Sequence, residues 1–301
     1  MNPNNPYFKQ VQLLVSVLPI LQEHPVFALK GGTAINLFVR DLPRLSVDID
    51  LAYQPIKGRE ESVKDIHEHL FAIASTLRLQ GLRVQPNHPE QITRLAVAND
   101  QAQIKIETSP VLRGTVHPAV TLPVRHLVEQ WFGYVEVQTL SFEDLYAGKL
   151  CAALDRQHPR DLFDVKVLFE NEGVSIKLKD TFMAYLISHP RPISELLNPN
   201  LLDIAVVYQR EFEHMTVEKA PLVDLLVVRE TLIERLLCML TDRDKAFLLS
   251  VKKGKPDWQL FAYPRIAELP AIKWKLHNLA KMNLNAHQQA CYKLEKLLNS
   301  I

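Results

Sequence analysis

Arg44-Leu45-Ser46-Val47-Asp48-Ile49-Asp50-Leu51-Ala52-Tyr53 is the stretch that decides the fold. From Leu45 to Tyr53 it alternates: Leu45, Val47, Ile49 and Leu51 are apolar, with Ser46, Asp48 and Asp50 between them. A period of two predicts a β-strand, whose successive side chains leave opposite faces. The apolar set must enter a core, so Asp48 and Asp50 leave the other face side by side. Two carboxylates sharing a site repel each other. A hard divalent cation, Mg²⁺ or Mn²⁺, relieves that repulsion by taking their oxygens. The competing reading is two acids on the wet face of an antiparallel strand.

Just upstream, Val26-Phe27-Ala28-Leu29 reads as a short strand running into Gly31-Gly32-Thr33. A helix is expected from Thr33, with Ala34, Leu37 and Phe38 as its inner face. Glycines let a backbone approach a ligand closely, and amides at a helix start can hold phosphate oxygens. The Thr33 hydroxyl adds a donor. A tight strand-to-helix turn is the structural alternative. No GxxxxGK[ST] occurs, so the turn is not a Walker loop. Fourteen residues, 34 to 47, separate Thr33 from Asp48, room for one helix and a return. A turn that can grip phosphate followed by a strand that can grip metal outlines a nucleoside-triphosphate site.

Two further groups join it. Ile104-Lys105-Ile106-Glu107 is a plausible strand, and parity puts Glu107 on the face of Lys105, where it is the candidate third metal-binding acid. An acid blunting a sheet edge is the alternative. Downstream, Lys149 sits on a helix, Arg156, His158, Pro159 and Arg160 follow, and Asp161 and Asp164 share a helix face three residues apart. A lysine beside a triphosphate can neutralise charge that develops during phosphoryl transfer. A corner between two helices knitted by Arg–Asp pairs would use the same residues.

Around these groups the chain divides. Residues 7–23 carry Phe8, Val11, Leu14, Val15 and Leu18 at helical spacing, and Pro19 ends or kinks that helix. Glu60 to Leu79 is a charged amphipathic helix. Strand-like segments follow near Leu82–Val84, Ile92–Ala98 and Gln101–Thr108, with Asn99-Asp100 as a hairpin turn, and then at Tyr134–Leu140. Ser141-Phe142-Glu143-Asp144 opens a helix with the pattern of a capping box. Most later segments read as helices, Asp180–His189, Leu222–Leu240 and Asp242–Val251 being the clearest. The expected fold class is therefore α+β: a mixed sheet flanked by helices over residues 1–140, then a mainly helical domain over 141–301 that contributes Lys149, Asp161 and Asp164 to the cleft.

Composition agrees with a soluble protein: apolar residues make up 47% and charged residues 23% of 301. Three well-separated cysteines form neither a disulfide framework nor a CxxC site, which fits a reducing cytoplasm. No signal pattern and no run of about 18 apolar residues occurs, so no membrane is expected. The net charge is +1, but Val251–Ile301 holds nine Lys or Arg against three Asp or Glu, leaving a balance of −5 on the rest. Such a basic end can meet a phosphate backbone, or can form solvated helix faces.

Lys30-Gly31-Gly32-Thr33-Ala34, then Arg44 to Leu51, then Lys149-Leu150 and Arg160-Asp161-Leu162-Phe163-Asp164 resemble the AbiEii/AbiGii toxin nucleotidyltransferases of the DNA polymerase β-like superfamily. Leu269-Pro270-Ala271-Ile272-Lys273-Trp274-Lys275-Leu276 is similar to the tail of that family. The resemblance implies a toxin of a type IV toxin–antitoxin or phage-defence system that transfers NMP from an NTP to RNA, with the 3′ end of tRNA as the expected acceptor. It implies that Gly31, Gly32 and Thr33 hold the triphosphate, that Asp48 and Asp50 ligate Mg²⁺, and that Arg44 and Ser46 support their strand. Lys149 with Asp161 or Asp164 would match the family's downstream catalytic pair. A cognate antitoxin on a separate chain, acting indirectly, is the implied partner.

Other signals are weaker. His67 and His69 flank Glu68 but point to different helix faces, which argues against a metal site there. Neither HExxH nor GxSxG occurs. Trp131, Trp258 and Trp274 read as core or interface anchors, with base stacking the alternative for the last two. Two competing functions use the same residues: an NTP-binding phosphotransferase or regulator, and a non-catalytic interaction module.

Overall fold

In the computed structural model, which describes residues 7–301 (backbone alone at 110–112), the glycine turn and the acidic strand are neighbours. The strands are β1 (Phe27–Lys30), β2 (Asp48–Tyr53), β3 (Arg83–Pro86), β4 (Arg94–Ala98), β5 (Gln103–Arg113), β6 (Val120–Pro123) and β7 (Glu136–Thr139). They form a seven-stranded mixed sheet in the order β3-β4-β5-β2-β1-β7-β6. β2 lies antiparallel to β1 and parallel to β5. The β4–β5 hairpin closes at Asn99, whose side-chain oxygen accepts from the amides of Gln101 (2.9 Å) and Ala102 (2.8 Å).

The helices that accompany the sheet are α1 (Phe8–Val17), α2 (Gly31–Ala34), α3 (Arg59–Leu79), α4 (His126–Phe132) and α5 (Phe142–Asp155). α1 gives way at Leu18 to a 3₁₀ turn with Pro19 in its first positions. α3 packs on β3, β4 and β5, and α1 on β5 and α4. The alternation of β2 becomes burial: Ile49 and Leu51 are fully enclosed, while Asp48 and Asp50 are not. In-register neighbours extend that covered face, with Ile49 beside Ile106 and Leu51 beside Leu29.

Two boundaries differ from the sequence pattern. β2 begins at Asp48 and not at Leu45, because the preceding residues pair elsewhere. The Leu45 amide donates to the Met215 carbonyl (2.7 Å), the Val217 amide donates to the Pro43 carbonyl (3.1 Å), and Arg44 bridges Thr216. The helix after β1 starts at Gly31, two residues before Thr33, since a positive φ of 73° at Gly31 turns the chain straight off the strand. It then widens into a π-helical turn over Ile35–Val39. β6, absent from the sequence reading, is mostly exposed and so carries no apolar alternation.

The chain forms two compact units. One ends at Leu145 and takes in Glu211–Lys219; the other comprises Tyr146–Arg210 and Ala220–Ile301. The second unit is built from α5 from Tyr146 onward and from α6 (Pro159–Asn171), α7 (Ile176–Ser188), α8 (Ile193–Leu197), α9 (Ala205–Glu211), α10 (Leu222–Cys238), α11 (Asp242–Lys252), α12 (Pro270–Ala280) and α13 (Leu284–Asn299). Within it α10 packs on α6, α12 on α7, and α13 on α8 and α11. Thr241 and Asp244 form a capping box at the start of α11. The buried Lys179 ammonium ties α7 to that cap, 2.6 Å from Asp244 and 2.9 Å from its neighbour Asp180. Among the described residues no helix is long and apolar enough to cross a membrane.

Candidate active site

The glycine turn fits the acidic strand atom against atom. A side chain at Gly31 would run into the Asp50 carboxylate, so two constraints, the positive φ and this close approach, both demand glycine there. A Cβ at Gly32 would lie 2.6 Å from Arg44 Nη2 and 3.0 Å from Ser46 Oγ. Gly32 therefore seats the segment that leads into β2. Thr33 is buried, and its hydroxyl donates to the Asp48 carbonyl at 2.5 Å and lies 3.0 Å from Ser46 Oγ. The Thr33 hydroxyl braces the acidic strand from within, instead of adding a donor on the open side of the turn. Arg44 and Ser46 are buried too, and Arg44 Nη1 donates to the Leu45 carbonyl at 2.9 Å. These three side chains fix the approach to Asp48.

Sheet register supplies what parity alone left open. Asp50 stands beside Lys30 on β1 and beside Glu107 on β5, and Glu107 stands beside Arg94 on β4. In-register residues share a face, so Lys30, Asp50, Glu107 and Arg94 make one charged row across four strands. Asp48 stands beside Lys105 on the same face. Lys30, Lys105 and Arg94 were given no role by the sequence reading. Parity places only Lys105, two residues before Glu107 on β5; Lys30 and Arg94 lie on strands without acids, and their place needs the pairing. This face sets two acids side by side between flanking cations, suited to a polyphosphate and its counter-ion.

The donor set suits a divalent cation held jointly by protein and ligand. Asp48 and Asp50 project from the same face of β2. Magnesium is commonly bound through one or two carboxylates, with phosphates and water completing the shell. Among the described residues no group of three or more His, Cys, Asp or Glu is arranged to hold a metal. Glu107 thus neighbours Asp50 in register without closing a three-acid cage.

In the helical unit, Lys149 on α5 meets both acids of α6. Its Nζ lies 2.7 Å from Asp161 Oδ1 and 2.9 Å from Asp164 Oδ2, and all three side chains are buried. Arg156 adds a two-pronged pair to Asp161, at 2.5 Å through Nε and 3.0 Å through Nη2. Burial alone would raise the Asp161 carboxyl, but the Lys149 charge and the Arg156 guanidinium outweigh it and hold it well below the usual carboxylate range. The turn between α5 and α6 depends on Gln157, at φ 50°. Its buried amide donates to the Asn200 carbonyl (2.7 Å) and accepts from the Leu202 amide and Arg229 (3.0 Å each), a polar knot that no sequence pattern announces.

The remaining singled-out residues go to other partners. His67 accepts from the Ile92 amide, while His69 meets His24 at 2.9 Å between their Nδ1 atoms. Trp131 packs edge-on against Phe8, and Trp258 lies tilted on Phe247. Trp274 is 56% exposed and so lies outside the core.

With this geometry in place, the likenesses to known proteins become specific. A family model described as the nucleotidyl transferase AbiEii toxin of type IV toxin–antitoxin systems matches residues 12–278. Among solved structures, MenT4, a nucleotidyltransferase toxin from Mycobacterium tuberculosis H37Rv, superposes with a TM-score of 0.62 at 14% identity. The match covers 92% of this chain and 94% of that one, and at such identity it speaks to the fold. No curated protein matches the chain. The family match takes in the glycine turn, the acidic strand and the buried Lys149 cluster alike, and the chain belongs to the AbiEii nucleotidyltransferase toxin family.

Proposed function

We propose that this nucleotidyltransferase moves an NMP from an NTP to a hydroxyl of an RNA acceptor, the 3′ end of tRNA. The reaction is in-line attack of that hydroxyl on the α-phosphorus. The new O–P bond forms as the bond to the leaving pyrophosphate breaks, and the hydroxyl proton passes to solvent or a carboxylate. The observation that carries the reading is the contact between Gly31 and the Asp50 carboxylate. It sets backbone amides at the start of a helical segment beside an acidic pair.

The amides of Gly31, Gly32 and Thr33 are assigned to the triphosphate, with Lys30 flanking it from β1. Arg44 and Ser46 act through position, by holding the Thr33 hydroxyl and the strand entry. Asp48 and Asp50 would hold Mg²⁺ or Mn²⁺, with Glu107 the adjoining acid. The metal would supply Lewis-acid stabilisation of charge on the phosphates. Lys149, with two of its three ammonium protons on Asp161 and Asp164, is proposed as the downstream catalytic lysine of the family pattern. Asp161 and Asp164 hold that ammonium in place. The cognate antitoxin is proposed to be a separate chain that acts without occupying this site.

The test is incubation of the protein with total RNA, Mg²⁺ and each α-labelled NTP separately, followed by mass analysis of the product. Label on tRNA as an added NMP is the expected result. Removing one preorganised electrostatic contact of this kind costs about 10²–10³-fold in rate, and Asp48→Ala and Asp50→Ala should each lose at least that. An added phosphate in place of NMP makes the protein a phosphotransferase. Equal labelling by wild type and both variants rules out the assigned site.

A further inference from the structure

The helical unit holds a feature that nucleotide chemistry does not use. α12 carries no Asp or Glu, and its two long edges differ sharply. Ala271, Ile272 and Leu279 are buried on one side. Beside them, Lys275 Nζ donates to the carbonyls of His189 (2.6 Å), Arg191 (2.9 Å) and Pro190 (3.2 Å), at the C-terminal end of α7. That three-pronged cap fixes the rotation of α12 about its own axis. The face turned outward holds Lys273, His277 and Lys281, all exposed and four residues apart in one row. Trp274 stands alongside, its indole stacked on the His277 ring at 5.5 Å between centroids and 25° between planes.

An indole left 56% exposed forgoes most of the stabilisation that burial of so large a ring provides. Among the described residues neither Lys273 nor Lys281 makes an ion pair. The surrounding sequence, Val251–Ile301, has three times as many basic as acidic residues. Two steps of four residues, about 12 Å, separate Lys273 from Lys281, a span that reaches alternate phosphates on a strand. A flat aromatic surface beside a line of unpaired cations is the chemistry that holds single-stranded nucleic acid without reading its sequence.

We propose that the outward face of α12 binds a single-stranded segment of RNA, one base stacking on Trp274 and the flanking phosphates meeting Lys273 and Lys281. This deepens the assignment of RNA as acceptor, and its test needs neither NTP nor metal. Failure of nucleotide transfer therefore leaves this proposal standing, and the reverse also holds.

The measurement is equilibrium binding of a fluorescent unstructured RNA 12-mer to the full chain over a range of salt. Stacking on an aromatic side chain is worth about 1–3 kcal/mol per base, so Trp274→Ala should weaken binding by about tenfold or more, and Trp274→Phe should restore most of it. Each phosphate contact to a single strand contributes about 0.7 to the slope of log K against log salt. Lys273→Ala with Lys281→Ala should thus flatten the slope by about 1.4. Wild-type affinity and slope in all three variants, with unchanged circular dichroism, overturn the proposal and leave the face to a protein partner. Loss of affinity in Trp274→Ala that Trp274→Phe fails to restore removes stacking from it and overturns it equally.

Discussion

At the scale of single residues, the decisive arrangement is the buried trio of Lys149, Asp161 and Asp164, joined by the exposed Arg156. Two cations and two anions balance there, with Lys149 and both acids buried and Arg156 closing on Asp161 from the solvent side. Breaking a buried pair leaves an uncompensated charge and costs about 3–5 kcal/mol. Lys149→Met should accordingly lower the urea unfolding free energy by that amount at pH 7, since it takes the shared ammonium from two buried carboxylates. The pH dependence follows from Asp161, whose carboxyl is held down by Lys149 and Arg156 against the opposing effect of burial. A carboxyl with a depressed folded value binds protons more readily unfolded. Its stabilisation is complete above the ordinary carboxylate range near pH 4 and is lost as pH falls through the folded value. Unfolding followed from pH 6 downward should show wild type losing stability over that acidic window and Asp161→Asn losing less, from a lower start. A wild-type curve parallel to that of Asp161→Asn would falsify the charge balance described here. The spacing of Asp161 and Asp164 told in advance that they share a helix face. It could not tell that one ammonium serves both, because the α5–α6 turn hangs on the tertiary bonds of Gln157.

At the scale of elements, β2 shows how much of a site a pattern can carry. Its alternation assigned Ile49 and Leu51 to the core and Asp48 and Asp50 to the open face, and burial follows that division. Where the pattern ran on to Leu45, it failed for a physical reason. Alternation reports which face a side chain takes, not which strand supplies the hydrogen bonds, and those of Leu45 come from residues far away in sequence. The same strand makes opposite predictions for adjacent positions. Ile49 is wholly enclosed, and truncating a buried isoleucine to alanine costs about 2–5 kcal/mol. Asp50 is partly exposed, and substitutions away from buried networks stay within about 0.5 kcal/mol. Ile49→Ala should therefore lower the urea midpoint strongly, while Asp50→Asn barely moves it yet stops nucleotide transfer. If Asp50→Asn lost as much stability as Ile49→Ala, the acid would belong to the architecture, and its loss of activity would say nothing of chemistry.

At the scale of the whole chain, the sheet unit is not a continuous stretch. Composition changes at Ser141, where strands give way to helices, and a boundary drawn there is what the sequence suggests. Nothing in the nine residues Glu211–Lys219 announces that they return to the sheet unit. Their contribution is specific. Met215 accepts from the Leu45 amide, Val217 donates to Pro43, and Thr216 bridges Arg44, the arginine set against Gly32. Phe212 and Met215 are themselves buried, and enclosing such side chains stabilises by about 1.5–3 kcal/mol each. A fragment ending at Leu145 lacks all of this and exposes the segment that leads into Asp48. Its Leu45 amide, protected in the full chain, should exchange with deuterium at close to the unfolded rate, and its urea midpoint should fall. Rejoining Glu211–Lys219 to that fragment through a Gly/Ser linker should restore both, because the missing partners are backbone groups and two side chains that need only be returned. Protection of Leu45 in the bare fragment equal to that in the full chain would mean that the strand entry holds itself, and that the returning segment merely covers what the glycine turn and Thr33 already fix.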